Sequence, residues 1–181
     1  MIDQQITDLI TEYTLKHSNF ETRRNYISLS NCYLSVDEIV SQYRNGFTDT
    51  LKGQLKCYKG YQMEHDLVKR IIAIYGDRIK TKSEISGFEG LVKGHPDFTF
   101  DDYPADCKSV LMDKWLPDGR FPRKVYWQMQ GYMKYSRQNK ALVVYESRET
   151  GILKASWVFA NIEIQNTINQ KLIDVIKLIN I

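Results

Sequence analysis

Four charged residues of this chain are costly in a plain fold and useful in chemistry: Glu64, Asp97, Asp106 and Lys108. The segment 60–75 reads as a helix in which Leu67, Val68 and Ile71 fall at i+3, i+4 and i+7 from Glu64, so this carboxylate projects from the apolar face. There it must be paired, protonated or metal-bound, unless it sits at the stripe's edge and reaches water. Asp97 and Asp106 flank the run Phe-Thr-Phe-Asp-Asp-Tyr-Pro-Ala. If Asp101-Asp102 makes a two-residue hairpin turn, Phe100 pairs with Tyr103 and Asp97 faces Asp106, with Cβ atoms about 5 Å apart. Two carboxylates at that spacing repel, and a divalent cation bound through hard oxygen ligands removes the repulsion. A longer loop would shift the pairing. Strand alternation puts Lys108 on the face of Asp106 and turns Cys107 away. Its ammonium can reach a water or a phosphate oxygen beside a cation, or make an ordinary salt bridge to Asp106.

A fifth residue joins this set. The helical stripe of 123–137 is Val125, Gln128, Met129, Tyr132, Met133 and Ser136, with the amide of Gln128 in its middle. A buried amide needs partners, either in the core or among the carboxylates of a site.

The elements that must position these residues follow from periodicity. Residues 2–16 carry a helical stripe of Ile2, Ile6, Leu9, Ile10 and Tyr13. Ser35 and Glu38 have capping-box spacing ahead of a short helix, and the 60–75 helix stops near Gly76. Strands are expected over 79–86, 89–100 and 104–111, then over 141–146 and 153–159 after the 123–137 helix. Asn161 can cap a last helix along Ile164, Ile168, Leu172, Val175 and Ile179. The order predicts an α/β (α+β) domain on one mixed sheet of about five strands flanked by helices. A single domain spans 1–181, with a helical part to residue 57, a core over 58–160 and a C-terminal helix over 161–181.

Composition narrows the function. Hydrophobic residues at 43% exclude a disordered chain, and 25 Lys and Arg against 22 Asp and Glu leave a net charge of +3. That balance permits an acidic partner without demanding one. Three scattered cysteines, Cys32, Cys57 and Cys107, make neither a disulfide framework nor a four-cysteine metal site. No signal peptide or membrane-length apolar run is visible, so a cytoplasmic protein without membrane contact is expected.

A helical Glu, then Pro96-Asp97, then Asp106-Cys107-Lys108 on a strand, then Gln128-Met-Gln-Gly-Tyr132 on the next helix, resembles the PD-(D/E)xK nuclease superfamily in its RecB-like, lambda-type exonuclease branch. The resemblance covers roughly residues 58–160 and implies a restriction-endonuclease-like core. It implies that Glu64, Asp97 and Asp106, with the backbone carbonyl of Cys107, hold one or two Mg²⁺ or Mn²⁺ ions. Lys108 would position or deprotonate the attacking water, and Gln128 and Tyr132 would steady the site and touch the substrate backbone. Lambda-type enzymes hold a 5′-phosphate with an early Arg, a following Ser and a basic residue after the catalytic Lys. Arg23 or Arg24, Ser30 and Lys114 could fill those places, while His95 stands where that family has a Ser. Arg120, Arg123, Lys124 and Arg137 could track DNA phosphates, and Trp115, Tyr126 and Trp127 could stack on an unpaired base. The iron–sulphur branch is excluded, since residues 108–181 contain no cysteine, and no P-loop marks a fused helicase.

The expected activity is therefore a metal-dependent DNA exonuclease in recombination or repair of phage or bacterial DNA. A recombinase or single-strand annealing protein is the expected partner, and an oligomer is compatible with the sequence. The alternatives are an endonuclease, resolvase or RNase of the same fold, and a DNA-binding protein that no longer cleaves.

Overall fold

Asp101 and Asp102 turn a two-residue hairpin, with φ of 49° and 68°. Positive φ at both central residues matches the right-handed twist of the flanking strands, and the register is Phe98↔Ala105, Thr99↔Pro104 and Phe100↔Tyr103. Aspartate tolerates left-handed backbone better than most residues, and the turn is secured by cations. Arg78 grips Asp101 through two hydrogen bonds of 2.9 and 2.6 Å, and Lys80 reaches Asp102 at 2.6 Å.

This computed structural model describes residues 24–46, 51–111 and 120–180, together with Leu9 and Glu12. The expectations for the 2–16 helix, Arg23, Lys114 and Trp115 fall outside the described residues. In chain order the strands are β1 (Ile27–Ser28), β2 (Ile79–Lys80), β3 (Ile85–Gly87), β4 (Val92–Gly94), β5 (Phe98–Phe100), β6 (Tyr103–Val110), β7 (Lys140–Ser147) and β8 (Leu153–Phe159). The helices are α1 (Val36–Asn45), α2 (Leu51–Tyr75), α3 (Arg123–Ser136) and α4 (Ile162–Ile179).

The expected mixed sheet is present, with strand order β2-β5-β6-β7-β8. The β6–β7 pair is parallel and the others are antiparallel, so α3 is the crossover of a β-α-β unit. Two strand expectations need correction. Residues 79–86 and 89–100 are four short strands, and β3 and β4 leave the main sheet to join β1 in a second sheet ordered β1-β4-β3. The breaks lie where the backbone is left-handed, at Lys82 and at Phe88-Glu89-Gly90, and where Pro96 lacks an N–H for a ladder. Helix α2 also begins nine residues before the expected 60, because its first turns carry little apolar stripe to reveal them.

Each face of the main sheet has its own core. Leu67 and Val68 of α2 pack on Ile79, Phe98, Ala105, Cys107 and Val144. Val125, Met129 and Met133 of α3, with Ile168 and Leu172 of α4, cover Ala141, Val143 and Val158. Burying a side chain such as Leu67, 1% exposed, stabilises by about 2 kcal/mol. The expected caps are formed: Ser35 and Glu38 complete a capping box at α1, and Asn161 Oδ1 accepts the Ile164 N–H at 3.1 Å. Gln130, fully buried, locks α3 to the β8–α4 corner. It donates to the Phe159 carbonyl and accepts the Asn161 N–H, both at 2.8 Å.

Candidate active site

Strand β6 carries the centre. Its odd-numbered residues turn their N–H groups toward β5, but β5 pairs no further than Phe98. Beyond that point side chains take over as acceptors. Asp97 Oδ2 accepts the Cys107 N–H at 2.7 Å, and Glu64 Oε1, arriving from α2, accepts the Ser109 N–H at 3.4 Å. In an extended strand the carbonyl of a residue points the same way as its N–H, which aims the Cys107 carbonyl toward the same gap.

On the opposite face of β6, Asp106 is 2% exposed and meets the ammonium of Lys108. Gln128 Nε2 donates to Asp106 Oδ1 at 3.4 Å and to the Tyr132 hydroxyl at 2.9 Å, and that hydroxyl donates to the His95 carbonyl at 3.1 Å. The polar residues in the apolar stripe of α3 are thus a relay from Asp106 to the chain just before Pro96-Asp97. Gly94 makes room for it, because a Cβ there would lie 2.6 Å from the Tyr132 ring.

The electrostatics are those of crowded acids. Burial, and then the nearby Asp106, push the Asp97 carboxyl up to about 8. Burial also raises Glu64, against the opposing pull of Lys108. Burial disfavours the charged form of Lys108, yet Asp106, Asp97 and Glu64 outweigh it and hold the ammonium protonated.

The donor set suits a hard divalent cation: three carboxylates, one of them the buried Asp106, and the Cys107 carbonyl. As they stand, no three His, Cys, Asp or Glu side chains among the described residues are grouped closely enough to hold a metal. Lys108 supplies the positive charge at Asp106 instead, so a cation there needs the lysine to swing aside.

The other expected residues fall in separate places. Tyr26 gathers Arg24 (5.6 Å from guanidinium to ring centroid), Lys93 (5.9 Å) and the His95 ring (5.7 Å), and both Lys93 and His95 reach Glu84. Ser30 bonds Ser28, whose register partner is Lys93. Arg24, Ser30 and His95 therefore border one surface. Arg120, Arg123 and Lys124 are exposed at the start of α3, and Arg123 and Lys124 lie over Trp127 and Tyr33. Arg137 is the left-handed residue that ends α3. Tyr126 and Trp127 are half-buried and pack against the core.

The sequence reading missed two neighbours. Tyr145 sits opposite Lys108 in the β6–β7 register, and its buried hydroxyl has no hydrogen-bond partner among the described residues. Burial pushes this phenol up to about 12 against the opposing pull of Lys108, with a smaller upward push from Asp106. Arg148 donates to Ser109 Oγ at 3.0 Å and helps keep Glu64 ionised.

No protein-family profile and no curated protein matches the chain. Solved structures do. An alkaline exonuclease from Laribacter hongkongensis, LHK-Exo, superposes with a TM-score of 0.61 at 12% identity over 86% of this chain and 90% of its own. A phage-related exonuclease from Haemophilus somnus 129PT gives 0.59 at 12% over 83% and 91%. SSO0001 gives 0.64 at 15% over 96% and 86%. The chain shares the fold of these solved structures, two of them exonucleases. Within that fold Asp97 reaches the backbone of β6, and Asp106, Lys108, Gln128 and Tyr132 lie in contact along it. LHK-Exo has also been solved in complex with dAMP. Among the described residues no helix is long and apolar enough to cross a membrane.

Proposed function

We propose that the protein is a Mg²⁺- or Mn²⁺-dependent deoxyribonuclease that degrades DNA from its ends. The observation that carries this reading is the convergence of Asp97, Asp106 and Lys108 on one hairpin, with Glu64 brought to the same strand by α2. Exonuclease likenesses and the dAMP complex of LHK-Exo support a nucleotide substrate.

The residues divide the work of phosphodiester hydrolysis. Glu64, Asp97, Asp106 and the Cys107 carbonyl would hold the cation, which supplies Lewis-acid stabilisation of phosphate charge and an acidified water. Lys108, kept protonated by its acidic surroundings, donates to the attacking water or a phosphate oxygen as negative charge grows there. Gln128 fixes the Asp106 carboxylate, and Tyr132 fixes Gln128. The surface around Tyr26, with Arg24, Ser30, Lys93 and His95, supports capture of a terminal phosphate, which favours exonuclease over endonuclease chemistry. A cytoplasmic role in recombination or repair, beside a recombinase or annealing protein, follows from that reading.

The test is digestion of linear duplex, linear single-stranded and closed circular DNA with Mg²⁺ or Mn²⁺, with EDTA and Lys108→Ala controls. Metal-dependent loss of linear DNA alone is expected. Nicked circles would replace the exonuclease with an endonuclease, and no cleavage of any DNA would refute the reading.

A further inference from the structure

Two aromatic side chains bracket Glu64 on α2. Tyr61 and His65 lie one helical turn apart, with ring centroids 6.1 Å apart and planes 2° from parallel. Both are exposed, Tyr61 to 62%. A single exposed ring is ordinary, but two held parallel beside a cavity present a flat face on which another ring can stack. Nothing in the core uses this pair, and neither ring belongs to the relay around Asp106.

The pair stands at the mouth of an open cavity of about 330 Å³ between α2 and the β2–β3 connection. Half-buried Glu64 and Asp97 line it as an acidic floor, Val68 and Ile72 add an aliphatic wall, and exposed Lys82 also lines it. This volume lies at the small end of ligand sites and suits a single nucleotide rather than a duplex. The chemistry of the walls is graded. The acidic floor requires a cation before it accepts a phosphate, whereas the flat parallel rings and aliphatic wall favour an uncharged aromatic group at any ionic condition. An amphipathic ligand would therefore enter in one orientation, phosphate to the floor and aromatic group to the shelf.

We propose that this cavity is a nucleobase subsite, in which the base next to the scissile phosphate stacks on the Tyr61–His65 pair while Lys82 meets a neighbouring phosphate. The inference rests on the nuclease reading for the identity of the phosphate, but the subsite itself is defined by the rings and the cavity. Because every base has a π-face, the subsite would grip all four bases with little sequence preference.

The probe is the deoxynucleoside monophosphate of 2-aminopurine, whose fluorescence falls on stacking, titrated into the full chain with Mg²⁺. A mononucleotide has no phosphodiester bond to cleave, so this readout is independent of nuclease activity. Wild type should quench it. Tyr61→Ala and His65→Ala should each bind roughly tenfold more weakly, and Tyr61→Phe, which keeps the ring, should bind like wild type. Both side chains are exposed, so circular dichroism should show all variants folded. Equal quenching by wild type and Tyr61→Ala, or no binding by wild type, would overturn the subsite. Cleavage of linear DNA, measured separately, would then leave the nuclease reading standing alone. Ring-dependent quenching without cleavage would keep the subsite and remove the nuclease.

Discussion

Asp97 accepts the backbone N–H of Cys107 at 2.7 Å, in the place where β5 would offer a carbonyl had its ladder continued. The hydrogen bond fixes the carboxylate against β6 and leaves its other oxygen for a ligand. A residue needed for chemistry thus also satisfies the sheet, which ties the geometry of the site to the end of a strand.

Lys108 is the side chain that brings positive charge to the carboxylates of the proposed centre. Lys108→Ala should slow cleavage of linear DNA at least about a hundredfold in single-turnover measurements with Mn²⁺. Its loss also strands the buried Asp106, so the metal-free variant should be about 3 kcal/mol less stable to urea. Cleavage at the wild-type rate would remove Lys108 from the mechanism.

Asp97 gives the metal-free protein a distinctive pH dependence. Its carboxyl titrates at about 8 in the fold against an ordinary 3.8, so between these values the folded state binds a proton that the unfolded chain has released. The Asp97 contribution to stability in EDTA is therefore full below pH 3.8 and is lost as pH rises through about 8. Thermal scans in EDTA from about pH 5, where Glu38, Glu84 and Asp101 are already ionised, to mildly alkaline buffer should show a falling Tm, and millimolar Mg²⁺ or Mn²⁺ should flatten the decline. A Tm in EDTA that rises over this range would contradict the crowded-acid site.

Gln128→Leu removes the donor shared by Asp106 and Tyr132 and leaves both without it in the core. A loss of about 1–3 kcal/mol is expected on urea unfolding, together with reduced cleavage. Tyr132→Phe deletes only the hydroxyl and should cost about 1 kcal/mol. If the two variants were equally mild, the amide would not be organising the site.

Gly94→Ala tests the relay from outside it. The added methyl would lie 2.6 Å from the Tyr132 ring and 2.9 Å from Leu29, both buried, so the ring must move. Overpacking of this kind costs about 1–3 kcal/mol. The displaced hydroxyl should lower kcat more than it raises KM, measurable by steady-state digestion of an end-labelled duplex.

Much of the site is local, and local features were readable. The hairpin register followed from two aspartates between alternating segments, and Gln128 stood out as a polar residue inside an apolar stripe. The second sheet was not readable, because the breaks at Lys82, Phe88 and Glu89 put left-handed backbone at residues with no sequence signal for it. Tyr145 was invisible for the opposite reason: in an alternating strand a tyrosine looks like any other apolar residue. Tyr61 and His65 escaped because the expected helix began at their edge, and their pairing depends on a turn of α2 that the apolar stripe does not mark.

The end of β5 has one more effect. Past Phe98, one side of β6 is an unpaired sheet edge, the kind of surface on which a strand from another molecule can add. Its next two donors are already taken by Asp97 and Glu64, and an incoming strand would press its carbonyls against these acids. The residues proposed for catalysis therefore also guard the chain against aggregation. Replacing both by alanine should yield a protein that is not merely inactive but prone to self-association through β6.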